Sequence, residues 1–124
     1  EGQENIRIYN LIDKLFYLLN KEDWFADYVF WELELLKFIG FDLNIKDFCK
    51  HEITNNSKIY FVENSYKKII VPNFLVEDCN EKKITKLDIY NSLNLISEYM
   101  KKNIFIPNNI NFPNTRKNFI SYFK

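Results

Sequence analysis

Residue types that carry covalent or metal chemistry are scarce in this chain. It has one histidine, His51, and two cysteines, Cys49 and Cys79. Cys49 precedes His51 by two residues, too close for the usual half of a zinc site, and three side chains cannot supply four zinc ligands. With Gly2 and Gly40 as the only glycines, a glycine-rich phosphate loop is excluded. We therefore expect no catalytic residue, no metal site and no cofactor.

One acidic residue interrupts the apolar face of a predicted helix. At 100° per residue, the apolar side chains of residues 24–39 form one arc, and Glu32 falls inside it. A buried carboxylate costs roughly several kcal/mol unless it is paired, hydrogen-bonded or protonated. Arg116 is the best candidate partner, because a guanidinium matches a carboxylate in planar, bidentate geometry. We predict a structural ion pair between Glu32 and Arg116, and no catalytic role for Glu32.

The formal net charge is zero, but the charges are unevenly distributed. A neutral chain argues against a domain whose affinity rests on phosphate neutralisation across its whole surface. Residues 1–40 carry four basic and eight acidic side chains, whereas residues 81–124 carry eight basic and three acidic ones. The C-terminal third is therefore the basic end of the chain.

Stacking of single-stranded bases would require exposed aromatic rings flanked by basic residues. Two places partly meet that description. They are Tyr66 with Lys67 and Lys68, and Tyr99 with Lys101 and Lys102. The alternative is that these residues are solvated helix and loop ends.

Four segments show the apolar periodicity of helices. They span Ile6–Leu19, Trp24–Ile39, residues 85 to about 102, and a last helix that follows Pro113. Asp23 is the expected N-cap of the second helix, and Gly40 is expected to end it in a left-handed conformation. Thr85 is the expected N-cap of the third helix, in a capping-box pattern with Asp88.

The middle of the chain lacks helical periodicity. Residues 41–56 are expected to be irregular, with a turn at residues 55–56. Residues 59–62 and 69–71 are short apolar runs that either pair as a hairpin or include a helical turn ending at Pro72. The predicted fold class is mainly α, a helical bundle with a small irregular or β-hairpin insertion in the middle. A length of 124 residues fits one domain with one core.

No segment has the length and apolar character of a membrane span, and the N-terminus lacks a secretory signal pattern. We therefore expect a cytoplasmic protein that has no membrane partner.

Several stretches, in order along nearly the whole chain, carry a family resemblance. The most informative is residues 31–49, WELELLKFIGFDLNIKDFC, and the others are Tyr9, Leu15 and residues 24–28 upstream, then YKKIIVPNFL, SLNLISEYMKKNIF and FPNTRKNF. In this order they resemble the C-terminal helical domain of the RecO recombination mediators, with the alphaproteobacterial form most similar. The resemblance implies a single RecO-like helical domain over residues 1–124.

The chain departs from the family pattern in three ways. Many relatives have a four-cysteine zinc site that begins at the position of Cys49, but Glu52 stands where the second cysteine would be. The stretch from Val62 to Tyr66 is shorter than in the relatives. The N-terminal oligonucleotide-binding barrel of the family, expected to carry most of the DNA binding, is absent from this chain.

The resemblance implies a non-enzymatic role in DNA repair and recombination after DNA damage. In that role the protein helps RecR and RecA replace single-strand-binding protein (SSB) on DNA, and it promotes strand annealing. The helical domain is associated with capture of the acidic SSB C-terminal tail, which ends in an aromatic residue and its carboxylate. The alternatives are a helical protein-interaction adaptor of unrelated function and an enzyme fragment whose catalytic residues lie elsewhere.

An apolar groove rimmed by basic side chains would suit the SSB tail. The basic C-terminal third supplies the hypothetical contacts to this partner or to DNA: Lys82, Lys83, Lys86, Lys101, Lys102 and Lys117. Arg116 could join this rim instead of pairing with Glu32.

Overall fold

The computed structural model describes residues 2–64, 67–77 and 84–124. The chain divides into two compact units, residues 1–43 and residues 44–124. The first contains α1 (Gly2–Leu19) and α2 (Phe25–Phe38). The second contains α3 (Ile45–Phe48), β1 (Lys50–Thr54), β2 (Ser57–Asn64), β3 (Lys67–Val71), a 3-10 turn (Asn73–Leu75), α4 (Lys86–Met100), a π-helical turn (Lys101–Phe105) and α5 (Asn114–Ser121). The assignment of residues 1–124 to a single domain stays a prediction.

In the first unit, α1 packs against α2 as a helical hairpin. Leu11 and Leu18 are the buried residues of α1, and the indole Nε1 of Trp31 donates a hydrogen bond to the carbonyl of Leu11 at 2.7 Å. This bond ties the middle of α2 to α1. Trp24 occupies the N-cap of α2 without a side-chain cap, so the expectation of an Asp23 N-cap is wrong.

Gly40 ends α2 as predicted. Its φ is +96°, and its N–H donates to the carbonyl of Lys37 at 3.1 Å. The N–H of Phe41 donates to the carbonyl of Leu36 at 2.8 Å. These two bonds satisfy carbonyls at the helix end, and the left-handed conformation favours a residue without a Cβ.

In the second unit, a three-stranded antiparallel sheet has the order β1-β2-β3. β2 and β3 pair from Tyr60 opposite Val71 to Asn64 opposite Lys67, so the hairpin alternative is the correct one for residues 59–71. β1 pairs with β2 through a two-residue turn, with Thr54 opposite Ser57.

The predicted fold class is therefore wrong. The chain is mixed α and β, with five α-helices and a three-stranded sheet in the described residues, and not a helical bundle with a hairpin insertion. The sequence pattern did not predict strand β1. All five of its residues are exposed, so they lack the alternation of apolar and polar residues that reveals a half-buried strand.

α4 is the central helix of the second unit and contacts β3 and α5. Its capping box forms as predicted: the Asp88 N–H donates to Thr85 Oγ1 at 3.1 Å, and the Thr85 N–H donates to Asp88 Oδ2 at 2.9 Å. Leu93 and Ile96 are fully buried. After Met100 the helix widens into the π-helical turn, and Pro113 directly precedes α5. None of the helices in the described ranges is long and apolar enough to cross a membrane.

Candidate partner-binding groove

The structure brings two of the six predicted contact lysines together. Lys101 and Lys117 both line a cavity of about 220 Å³ between α4 and α5. Lys86 lies elsewhere at the start of α4, with its Nζ 4.9 Å from the ring centroid of Tyr122. Lys102 is exposed on the π-helical turn and does not line the cavity. Lys82 and Lys83 lie outside the described residues.

We call this cavity the α4–α5 groove. Its basic rim consists of Lys101, Lys117 and Lys124, and its apolar and aromatic lining consists of Tyr90, Phe112 and Ile120. Lys124 was not predicted. It lies beyond the end of α5 at Ser121, in a turn where its N–H donates to the carbonyl of Ser121 at 3.2 Å. The groove thus combines lysines at its rim with apolar side chains in its lining.

The segment after α4 positions one wall of the groove. The rings of Phe105 and Phe112 meet edge to face with centroids 5.7 Å apart, which anchors residues 106–112 to the π-helical turn. Lys101 Nζ lies 4.6 Å from the Phe112 ring centroid, within cation–π range. The π-helical turn therefore places an aromatic ring beside a basic group.

Glu98 is the one acidic side chain that lines the α4–α5 groove among the described residues. Its Oε1 lies 3.8 Å from Lys101 Nζ and 3.7 Å from Lys67 Nζ. Both pairs are partly exposed, so each contributes little to stability. In the described part of the chain, Lys117 and Lys124 have no ion pair. The three lysines and Glu98 give the groove a net positive charge.

Glu32 is buried as predicted, with 8% of its surface exposed, and it accepts a hydrogen bond from the Tyr28 hydroxyl at 2.9 Å. Arg116 donates from Nε to Ser97 Oγ at 2.8 Å and from Nη2 to the carbonyl of Leu93 at 3.4 Å. Glu32 and Arg116 belong to different units. Their ion pair therefore stays a prediction.

The cysteine and histidine positions lie apart from this groove. His51 is exposed on β1, and Cys49 is half-buried with its Sγ 3.9 Å from the carbonyl oxygen of Lys46. Glu52 forms an exposed ion pair with Lys68 at 3.5 Å. Within residues 2–64, 67–77 and 84–124, no group of three or more metal-ligating side chains is close enough to hold a metal ion. Cys79 lies outside those ranges.

Of the two tyrosines predicted as candidates for base stacking, the structure describes only one. Tyr66 lies outside the described residues. Tyr99 is half-buried on α4, and the Nδ2 of Asn103 donates to its carbonyl at 2.9 Å. A half-buried ring presents less of its face to a base, so this site does not provide the exposed ring that stacking requires.

In the second unit, a hydrogen bond between two side chains joins the sheet to the 3-10 turn that follows it. The Tyr60 hydroxyl donates to Glu77 Oε1 at 2.7 Å. This hydrogen bond, together with burial, raises the pKa of Tyr60 above its ordinary value of 10.0, because both favour the neutral phenol. The bond connects β2 to the residues after the 3-10 turn and is structural.

Comparison with known protein families gives a match. The family model described as "Recombination protein O C terminal" matches residues 1–115. No curated protein and no solved structure matches the chain. The matched range includes α4 and Lys101 but ends before Lys117 and Lys124.

Proposed function

Because this chain belongs to the family of recombination protein O C-terminal domains, which has a role in DNA recombination repair, we propose that it serves as the partner-binding part of a recombination mediator. In this role it is non-enzymatic, helps RecR and RecA replace SSB on DNA, and promotes strand annealing. Its direct ligand is the acidic C-terminal tail of SSB. Because the chain belongs to this family, we prefer this role to the alternative of a helical adaptor with an unrelated function.

The α4–α5 groove carries the proposal. Lys101, Lys117 and Lys124 supply positive charge for the acidic residues and terminal carboxylate of the tail. The lining side chains supply an apolar surface for its terminal aromatic residue. Lys117 and Lys124 have no ion pair with another described residue, so a ligand carboxylate would not displace an existing partner.

A titration with a labelled SSB tail peptide tests this proposal. We expect Lys101→Glu combined with Lys117→Glu to weaken binding at low salt at least about tenfold, because two attractive contacts become repulsive. Fluorescence anisotropy measures the affinity, and thermal unfolding shows that the variant remains folded.

Lys46→Glu is the matched control, since Lys46 is exposed on α3 and does not line the groove. It should bind the peptide like the unaltered chain. No binding at low salt, or equal affinity for the double variant and the control, would refute the site.

A further inference from the structure

An exposed apolar stripe runs along α1. It consists of Tyr9, Ile12, Phe16 and Leu19, which follow one another at intervals of three, four and three residues. At about 100° per residue these positions fall within an arc of about 80°, so they share one face of the helix. Asn5 is the only other residue of α1 that projects onto this arc, so no charged residue interrupts it. We call this face the α1 stripe.

The α1 stripe lies on the side of α1 that faces away from α2. Contacts of α1 with α2 include the ion pairs of Lys14 with Glu34 and of Lys21 with Asp27. Lys14 and Lys21 project about 160–180° from the middle of the stripe. Of the described residues that line the groove of about 660 Å³ between α1 and α2, none belongs to the stripe. Packing within the helical hairpin therefore does not cover this face.

The stripe leaves a considerable apolar area in solvent. Tyr9 is 66% exposed, Phe16 63%, Ile12 40% and Leu19 41%. If a fully exposed large apolar side chain presents about 200 Å², the four together expose about 400 Å². A contiguous apolar patch of that size is typical of an interaction surface, whereas single exposed apolar residues are common on any protein.

The spacing of the stripe indicates that its occupant is another helix. Alternating intervals of three and four residues are those of the a and d positions of a heptad, with Tyr9 and Phe16 at a and Ile12 and Leu19 at d. Such residues pack as knobs into the holes of a second helix that has the same spacing, and α1 of a second copy supplies it. The stripe itself carries no charge, and the formal net charge of the chain is zero, which favours association of two copies.

We propose that this chain forms a homodimer in which the α1 stripes of two copies pack against each other. Two stripes bury about 800 Å² of apolar surface, and the side chains that flank them raise the total to about 1,000 Å². That total is at the lower end of specific interfaces, so the dimer is weak and reversible. The stripe and the α4–α5 groove belong to different units, and the dimer does not depend on the function proposed for that groove.

Sedimentation equilibrium of the whole chain, at concentrations from about 5 μM to about 500 μM, tests this dimer. The average mass should rise from 15.1 kDa toward twice that value as the concentration increases. Phe16→Glu should weaken the dimer at least about tenfold, because it places a carboxylate from each copy in an apolar interface. A mass that stays at 15.1 kDa over the whole range would overturn the proposal.

Tyr17→Glu is the matched control. Tyr17 is the next residue along α1 and is 69% exposed, but it projects about 120° from the middle of the stripe. This variant should dimerise like the unaltered chain. Equal weakening of the dimer by Phe16→Glu and Tyr17→Glu would overturn the assignment of the interface to the stripe.

Tyr9→Lys is a second variant within the stripe and introduces the opposite charge. It should also weaken the dimer at least about tenfold, since the ammonium group is likewise buried without a partner. Thermal unfolding at a concentration where the chain is monomeric shows which variants keep the fold, and the masses of those variants decide. A folded stripe variant that dimerises like the unaltered chain would show that other contacts hold the copies together, and would overturn the proposal.

Discussion

Glu32 illustrates how a single acidic residue can be held on an apolar helix face. It accepts a hydrogen bond from Tyr28, four residues earlier on α2, so part of its polar requirement is met within its own helix. Burial of Glu32 followed from the helical period of its neighbours. The chemistry of a buried carboxylate calls for a partner such as an arginine. Helical periodicity alone, however, does not specify which distant residue is the partner of Glu32.

A double-mutant cycle tests the predicted pair. We expect Glu32→Gln and Arg116→Met to show a coupling free energy of at least about 1 kcal/mol in urea unfolding, because removing one buried partner leaves the other uncompensated. The exposed pair Lys14 and Glu34 supplies a control cycle, expected to couple by about 0.5 kcal/mol or less. Coupling of Glu32 and Arg116 no larger than that of the control would contradict the pair.

The hydrogen bond between Tyr60 and Glu77 should make stability depend on alkaline pH. Because the folded-state pKa of Tyr60 is raised, its contribution is fully present below pH 10.0, the ordinary pKa of the group, and is lost as the pH rises through the folded-state pKa. Urea unfolding from about pH 8 to about pH 11 should therefore show a steeper loss of stability for the unaltered chain than for Tyr60→Phe. Identical profiles would show that Tyr60 does not contribute.

At the scale of elements, the turn between β1 and β2 explains why an unpatterned strand forms. Asn55 and Asn56 have φ of +51° and +63°, and they join Thr54 and Ser57, which are paired across the hairpin. Two successive residues of positive φ match the right-handed twist of antiparallel strands. The turn therefore holds β1 against β2 although every β1 side chain is exposed.

Substitution of Asn56 tests the role of this turn. Asn56→Ala should lower the free energy of unfolding by about 1 kcal/mol, because the left-handed conformation strains a residue with a Cβ and no local hydrogen-bonding group. Asn56→Gly should leave stability unchanged or raise it. Asn118→Ala, in the exposed part of α5, is the control and should not destabilise the chain. Equal effects of Ala and Gly at Asn56 would contradict the argument.

α1 shows the limit of periodicity as a guide to burial. The pattern of residues 6–19 correctly predicted a helix, which extends from Gly2 to Leu19. Leu11 and Leu18 are its buried residues, whereas Tyr9 and Phe16 are largely exposed. Apolar residues lie nearly all around this helix, so the helical period alone does not determine which of them become buried.

At the scale of the whole molecule, neither groove follows from the net charge. The basic C-terminal third contributes Lys101, Lys117 and Lys124 to one groove, but Lys86 and Lys102 lie outside it. The acidic N-terminal part also contains a groove, between α1 and α2, whose lining includes Arg7, Lys14 and Lys37. Summed charge over a segment therefore located one basic surface approximately and concealed the other.

The sequence by itself determined the features that depend on near neighbours in the chain. Gly40 ends α2, and Thr85 and Asp88 cap α4, because each depends on backbone angles or on bonds across a few residues. For residues 59–71 the sequence left a hairpin and a helical turn as alternatives, and the pairing of β2 with β3 decided for the hairpin. The resemblance carried by residues 31–49 also identified the family, as the match over residues 1–115 shows.

Only the tertiary structure decided the fold class and the composition of the grooves. β1 lacks a burial pattern and depends on pairing with β2, so the mixed fold was not visible in periodicity. Lys101 and Lys117 meet because α4 and α5 pack together, and Arg7 lies near Lys37 because α1 packs on α2. Such groupings depend on long-range packing, which local side-chain patterns do not encode.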